Sequence, residues 1–325
     1  MNATVLAEGM NIIVTPTPNK AVLATTIIGF VVFSALGIGF SLLTVVVIAA
    51  SKRLHSPCFT LIAGGGIGSL MVALHYLTRG IDKIGFELGS WGFERTGLKC
   101  LLLSGIMGIW GIGFHAQVCC LIAIDRLISV IAPMKYRLLG KRYSIRILVT
   151  CAILVTLQEA VGFATAPLNT VLMCTEFMDA LYPLYIKTYA ELNLAYCVIN
   201  VLSYACMMIS FQFRHKIHLN TAAKQDKFMK QQLAVMPTIK LMILLYLFTG
   251  VLAEVLVNVG LHLPPDNPAF ILICLGTILK DASSLVEGFA LVVRNKKFRD
   301  CAKALHGKER SRTAATSMSQ SSVNG

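Results

Sequence analysis

Residues 21–50 read AVLATTIIGFVVFSALGIGFSLLTVVVIAA, a run without a single charge. A helix needs about 20 mostly apolar residues to cross roughly 30 Å of hydrocarbon, so this run is long enough to span a membrane. Six more runs of the same kind follow, at about 57–78, 98–130, 143–167, 187–213, 237–263 and 268–293. The turns between them are short and polar. No stretch reads as a separate soluble domain, and no internal repeat is visible. The expectation is an all-α membrane protein, a seven-transmembrane helix bundle over 21–294. Composition agrees: 56% of the 325 residues are hydrophobic and 14% charged. Soluble domains carry about 25% charged residues, so a water-soluble globule is excluded, and a disordered chain would lack this much apolar surface.

Charge sets the orientation. An odd number of spans places the termini on opposite sides. Of the 29 Lys and Arg, Lys280 lies inside a span; Lys20, Arg79, Lys83, Arg95, Lys99 and Lys187 fall on one side, and the remaining 22 on the other. Lys and Arg accumulate in cytoplasmic loops, so the N-terminus is expected outside and the C-terminus in the cytoplasm. The net charge of +13 is explained the same way, and no nucleic-acid partner is implied. Residues 1–20 lack the basic start and contiguous apolar core of a signal peptide; the first span is expected to act as an uncleaved signal anchor. Asn2-Ala3-Thr4 is a glycosylation sequon in this extracellular segment.

Eight of the ten cysteines lie within spans or on the cytoplasmic side; only Cys100 and Cys174 lie outside. The exterior is oxidising and the cytosol reducing, which makes these two the candidate disulfide, with two unpaired thiols as the alternative. The buried cysteines read as small packing residues. None shows zinc-ligand spacing, and no metal site is expected.

The third run ends on Asp125-Arg126-Leu127-Ile128-Ser129-Val130-Ile131-Ala132-Pro133-Met134-Lys135-Tyr136. A charged pair beside hydrocarbon is costly and needs a reason. Mutual neutralisation of Asp125 and Arg126 is one. The whole segment is more specific: it resembles the Asp-Arg-Tyr motif of rhodopsin-like G-protein-coupled receptors and the loop after it. Asp125, Arg126, Ser129, Val130, Pro133 and Tyr136 all fall at the family's spacing, and Leu127 replaces the motif's Tyr. Within that group the chain is most similar to nematode serpentine chemoreceptors of the Srsx class, through Lys52-Arg53-Leu54-His55-Ser56-Pro57-Cys58 and Asn295-Lys296-Lys297-Phe298-Arg299.

The resemblance implies a plasma-membrane receptor of a sensory cell, with a heterotrimeric G protein as partner and no enzyme activity. At rest Arg126 would pair with Asp125. On activation helix six would swing outward, and Arg126 would turn toward helix five and the Gα subunit. Tyr204 is the candidate helix-five partner, with an ordinary buried tyrosine as the alternative. Pro133 and Tyr136 would shape the loop that docks on the G protein.

Several family features are missing. Ser41 and Ser69 stand where a polar Asn and an Asp usually build a sodium site, so no sodium dependence is expected. The stretch Phe248-Thr249-Gly250-Val251-Leu252-Ala253-Glu254 has no hinge proline, and helix seven lacks the Asn-Pro-x-x-Tyr motif. An atypical or silent receptor is therefore an alternative reading.

The ligand pocket of such receptors opens between helices three, five, six and seven. No acid lies two turns below Cys100, so a biogenic amine is not the expected ligand. Met107, Trp110 and Phe114 recur at helical spacing and are candidate lining residues, with core packing as the alternative. Glu159, Glu191, Glu254, Lys280, Asp281 and Glu287 are ionisable residues inside spans and so candidates for function. Glu191, Glu254 and Lys280 are the pocket candidates among them, Lys280 pairing with Glu254 or Asp281. Lys280 does not fall at the interval that opsins use for their retinal lysine, and no cofactor is implied.

Residues 295–306 read as an amphipathic helix on the inner leaflet, with Phe298, Cys301, Ala302 and Leu305 on one face. Cys301 is a candidate palmitoylation site. Residues 307–325 read as a disordered tail in which Ser311, Thr313, Thr316, Ser317, Ser319, Ser321 and Ser322 are candidate phosphorylation sites for a receptor kinase, recruiting arrestin. The competing class is a transporter or channel, but neither inverted repeats nor clearly broken midplane helices are legible.

Overall fold

A computed structural model describes residues 20–87, 94–96, 99, 105–166, 171–173, 181, 183–219, 240–241, 243–263, 267–305 and 307. Helix one is Lys20–Ala50, helix two Pro57–Glu87, helix three Ile106–Ile131, helix four Lys141–Thr165 and helix five Pro183–Leu219. Helix six continues from residue 243 through a π-helical turn, Leu247–Val251, into Leu252–His262. Each of these six is long and apolar enough to cross a membrane.

The seventh span, read as one run over 268–293, is divided into Asn267–Ser283 and Val286–Arg294. Its serines explain the break. Ser283 and Ser284 donate their hydroxyls to the carbonyls of Lys280 and Asp281, both at 2.7 Å. The following amides tighten to three-residue spacing, Ser284 N–H to Asp281 O at 3.0 Å and Leu285 N–H to Ala282 O at 3.1 Å. Side-chain hydroxyls that bond back onto the preceding turn bend helices.

Helix one shows the solvent the bundle is built for. Phe30, Ser34, Ser41 and Thr44 are buried, while Ile28, Val32, Leu36 and Val46 are about half exposed. Large apolar side chains turned outward and hydroxyls turned inward reverse the arrangement of a water-soluble core. They suit a lipid surround, where helices pack on small residues and hydroxyls. Helices two and three show this at close range: a methyl on Gly111 would lie 2.8 Å from Met71 Cβ and 3.0 Å from the Val72 amide nitrogen.

Helix two runs past the expected end at residue 78. Arg79 and Lys83, counted above on one side of the membrane, are buried along it, as is Asp82. Lys83 Nζ sits 5.0 Å from the centroid of the Phe30 ring, a contact that allows an ammonium to remain inside the bundle.

The two ends of the bundle differ. At one end, β1 (Glu94–Thr96) from the connection between helices two and three pairs antiparallel with β2 (Val171–Met173) from the connection between four and five. The other end carries the short helices Lys52–Leu54 and Pro133–Leu138 and a tail helix over 296–305. Asn295 begins that tail helix, its Oδ1 accepting the Phe298 amide at 3.0 Å, a side-chain N-cap. Phe298 is fully buried and Cys301 nearly so, in one cluster with Val47, Leu54 and Leu61. The apolar face of the tail helix is thus packed on the bundle, with Lys296, Lys297 and Lys303 left exposed.

Candidate functional site

Helix three ends at Ile131, and the chain turns through Ala132 (φ −128°, ψ 61°) into Pro133, the first residue of the short helix. Proline suits that position because its fixed φ matches a helix and its missing N–H would be unpaired there anyway. The Tyr136 amide donates to Ala132 O at 2.9 Å, and this one turn folds Tyr136 back over the end of helix three.

There it completes a cluster with Asp125 and Arg126. Arg126 Nη2 donates to Asp125 Oδ2 at 2.6 Å, and Nε donates to the same oxygen at 3.3 Å. The Tyr136 hydroxyl donates to Asp125 Oδ2 and accepts from Arg126 Nη2, both at 2.9 Å. Asp125 is 2% exposed and Arg126 18%. Burial pushes the Tyr136 hydroxyl well above the usual tyrosine range, so it stays a donor at physiological pH. Asp125 Oδ1 has no partner among the described residues. Charge-assisted bonds of this kind are each worth about 1.5–3 kcal/mol.

The neighbouring side chains explain Leu127 in the place of a tyrosine. It packs into an apolar cluster with Ala123, Val130, Tyr204, Met207 and Phe211, and Ile243 of helix six joins it. Tyr204 is thus buried at the junction of helices three, five and six.

A second polar layer crosses the middle of the bundle. Lys280 Nζ of helix seven lies 2.5 Å from Glu254 Oε1 of helix six. Ser34 of helix one donates to Asp281 Oδ2 at 2.9 Å. Ser69 Oγ of helix two and His115 Nδ1 of helix three are 3.1 Å apart. Tyr189 of helix five donates to Ile109 O at 2.9 Å. Among the described residues, no group of three or more His, Cys, Asp or Glu is placed to hold a metal ion.

The family model for the serpentine type 7TM GPCR chemoreceptor Srsx matches residues 34–305. The chain belongs to the Srsx chemoreceptor family. No curated protein matches it. The Srsx chain is accordingly a multi-pass plasma-membrane protein of the seven-span receptor type, in a family of chemoreceptors rather than enzymes. The seventh span, divided by its serines, is the one that the six long apolar helices leave to be supplied.

Not all expected site residues come together in this Srsx chain. Asp125, Arg126, Pro133 and Tyr136 form one unit, with Tyr204 buried near it. Glu254 and Lys280 form another. Trp110 and Phe114 stack with centroids 4.6 Å apart, and the Trp110 indole donates to Thr156 Oγ1 of helix four at 3.3 Å. They face helix four, away from the Glu254–Lys280 pair. Met107 is half-buried and Glu191 exposed. Cys301 is buried and its sulfur accepts a hydrogen bond from Ser51 Oγ at 3.1 Å. Asn2, Cys100, Cys174, Ser311, Thr313, Thr316, Ser317, Ser319, Ser321 and Ser322 lie outside the described residues.

Sequence reasoning missed His115, Ser34 and Asn193, all buried. A signal for Ser34 existed: with Ser41 and Thr44 it forms a hydroxyl stripe at helical spacing along an otherwise apolar helix one. His115 and Asn193 are single polar residues in apolar runs, and periodicity does not reveal their partners.

Proposed function

We propose that this Srsx receptor is chemosensory and transmits binding of an extracellular small molecule or peptide to a heterotrimeric G protein. In this reading the N-terminus and the sheet end face outward, and the Arg126 end faces the cytoplasm, in keeping with the excess of Lys and Arg there. The observation that carries it is the Asp125–Arg126–Tyr136 cluster. Every described bond that restrains the Arg126 guanidinium comes from helix three or the short helix after it. Among the described residues helix six contributes no acid to it. Release of Arg126 therefore costs a few charge-assisted bonds and no bond to the helix that moves. A ligand biases such a switch only by binding the open state more tightly, and moving it from about 1:99 to 99:1 takes a preference of about 10⁴-fold, about 5.5 kcal/mol.

Helix six has no proline between residues 243 and 262, and the π turn Leu247–Val251 supplies the yielding point instead; such turns interrupt the regular hydrogen-bond ladder. The ligand site is assigned to the bundle between helices three, five, six and seven, around Glu254 and Lys280. The β1–β2 pairing supports a Cys100–Cys174 disulfide, because it already joins the two connections that hold these cysteines. Phosphorylation of the tail by a receptor kinase would recruit arrestin. The test is nucleotide exchange on a panel of Gα proteins in membranes bearing wild type or Arg126→Ala, challenged with a metabolite and peptide library. A response lost in the variant supports the reading; one that persists removes Arg126 from its role.

A further inference from the structure

Among the described residues four acids are buried in the helical core away from Arg126: Asp82, Glu159, Glu254 and Asp281. Glu254 has Lys280 and Asp281 has Ser34. Glu159 of helix four has neither an ion pair nor a hydrogen bond among the described residues. It is 7% exposed, and its Oε1 is without a partner. A buried carboxyl with no counter-charge is costly.

Its surroundings are aromatic. One turn away at Thr156, helix four receives the Trp110 indole. One turn the other way, a methyl on Gly162 would lie 2.6 Å from the Tyr185 ring, so the ring rests on that glycine. The Tyr185 hydroxyl reaches back to donate to Gln158 O at 3.1 Å. The ring therefore runs along helix four from Gly162 to Gln158, over the face that carries Glu159. Tyr189 stacks behind it, centroids 6.1 Å apart. Both tyrosine hydroxyls are committed to main-chain carbonyls, Tyr185 to Gln158 and Tyr189 to Ile109. Neither is left to satisfy Glu159.

From Glu159 to the helix end at Thr165 is about 9 Å at 1.5 Å per residue. In the orientation proposed above, that end is the extracellular one.

We propose that Glu159, on the turn of helix four between Thr156, which receives the Trp110 indole, and Gly162, which carries the Tyr185 ring, is a binding site for the ammonium group of a small organic amine. The carboxylate supplies the counter-charge, and the ring faces stabilise the cation further. Helix three offers no acid for this purpose, and the amine is held from helix four instead. This helix-four site is separate from the one assigned to Glu254 and Lys280; it rests on the receptor reading for its outward orientation, and its test does not depend on G-protein coupling.

The test is thermal unfolding of the full-length protein in detergent, titrated with 2-phenylethylammonium and, separately, with the neutral 2-phenylethanol. In wild type the amine raises the melting temperature and the alcohol does not. Glu159→Gln weakens the amine response by about tenfold to a hundredfold, the usual loss of a hydrogen bond to a charged group. Tyr185→Phe keeps the response, since the hydroxyl is spent on Gln158, and Tyr185→Leu weakens it. Wild type that does not respond to the amine overturns the proposal, as does an equal response to the alcohol. An unchanged response in Glu159→Gln overturns it too. If Glu159→Gln does not fold, Tyr185→Leu against Tyr185→Phe decides. Amine binding without Gα exchange would refute the coupling and leave this site standing; exchange without amine binding would do the reverse.

Discussion

Replacing Lys280 by methionine removes a charge from the middle of the bundle while nearly keeping its volume. Lys280 Nζ and Glu254 Oε1 are 2.5 Å apart, with side chains 12% and 4% exposed. The gross attraction at that distance is about 7 kcal/mol at an effective dielectric of about 20. Lost hydration, several kcal/mol per ion, offsets most of it. The intact pair is therefore worth little in net terms, but breaking it is not. Lys280→Met strands a carboxylate whose Oε2 already has no partner, at an expected cost of about 3–5 kcal/mol. Glu254→Gln strands the ammonium at a similar cost. The double variant removes both charges and should return to within about 1–2 kcal/mol of wild type. The assay is reversible unfolding of the purified protein in mixed micelles, with all four members of the cycle measured together. Single variants that each lose less than about 1 kcal/mol, or a double variant whose loss is the sum of the two, would refute the reasoning.

Three further outcomes follow from the geometry. Tyr136→Phe removes one bond to Asp125 and one to Arg126, so ligand-free nucleotide exchange on Gα should rise several-fold, by about 1–2 kcal/mol of lost restraint; an unchanged basal rate would count against the restraint. Gly111→Val puts side-chain atoms into the main chain of helix two at Val72 and should destabilise the fold by about 1–3 kcal/mol, read as lower surface yield and melting temperature. Asn295→Ala removes the cap on Phe298 N–H and should cost about 1 kcal/mol, visible as faster amide hydrogen exchange over 296–305 with helices one to four unaffected.

The spans were legible because hydrocarbon thickness dictates their length, and the Asp125–Arg126 pair because charge beside lipid is rare. Other features depend on three-dimensional neighbours. Helix two extends to Glu87 with Arg79, Asp82 and Lys83 buried along it, Lys83 against the Phe30 ring, and nothing local to residues 79–87 announces that partner. The break in helix seven was written in Ser283 and Ser284, yet serines in an apolar run read equally well as continuous helix. The missing proline of helix six was visible; the π turn that occupies its place was not, since no residue type encodes one. The helical spacing of Met107, Trp110 and Phe114 identifies a packed face but not which neighbour it meets. Trp110 turns to helix four because Thr156 offers its indole an acceptor there. The apolar stripe of the tail helix is visible in the sequence, but its partner, the bundle surface around Leu54 and Leu61, is not local to it.

The most direct test of the receptor reading is to reconstitute the purified protein in liposomes and measure two quantities on the same vesicles. One is nucleotide exchange on a Gα panel added at the Arg126 end; the other is flux of small solutes across the membrane, each with and without the metabolite library. A receptor gives ligand-dependent exchange that Arg126→Ala abolishes, with no accompanying flux. Ligand-driven flux in the absence of any G protein, unaffected by Arg126→Ala, would contradict it.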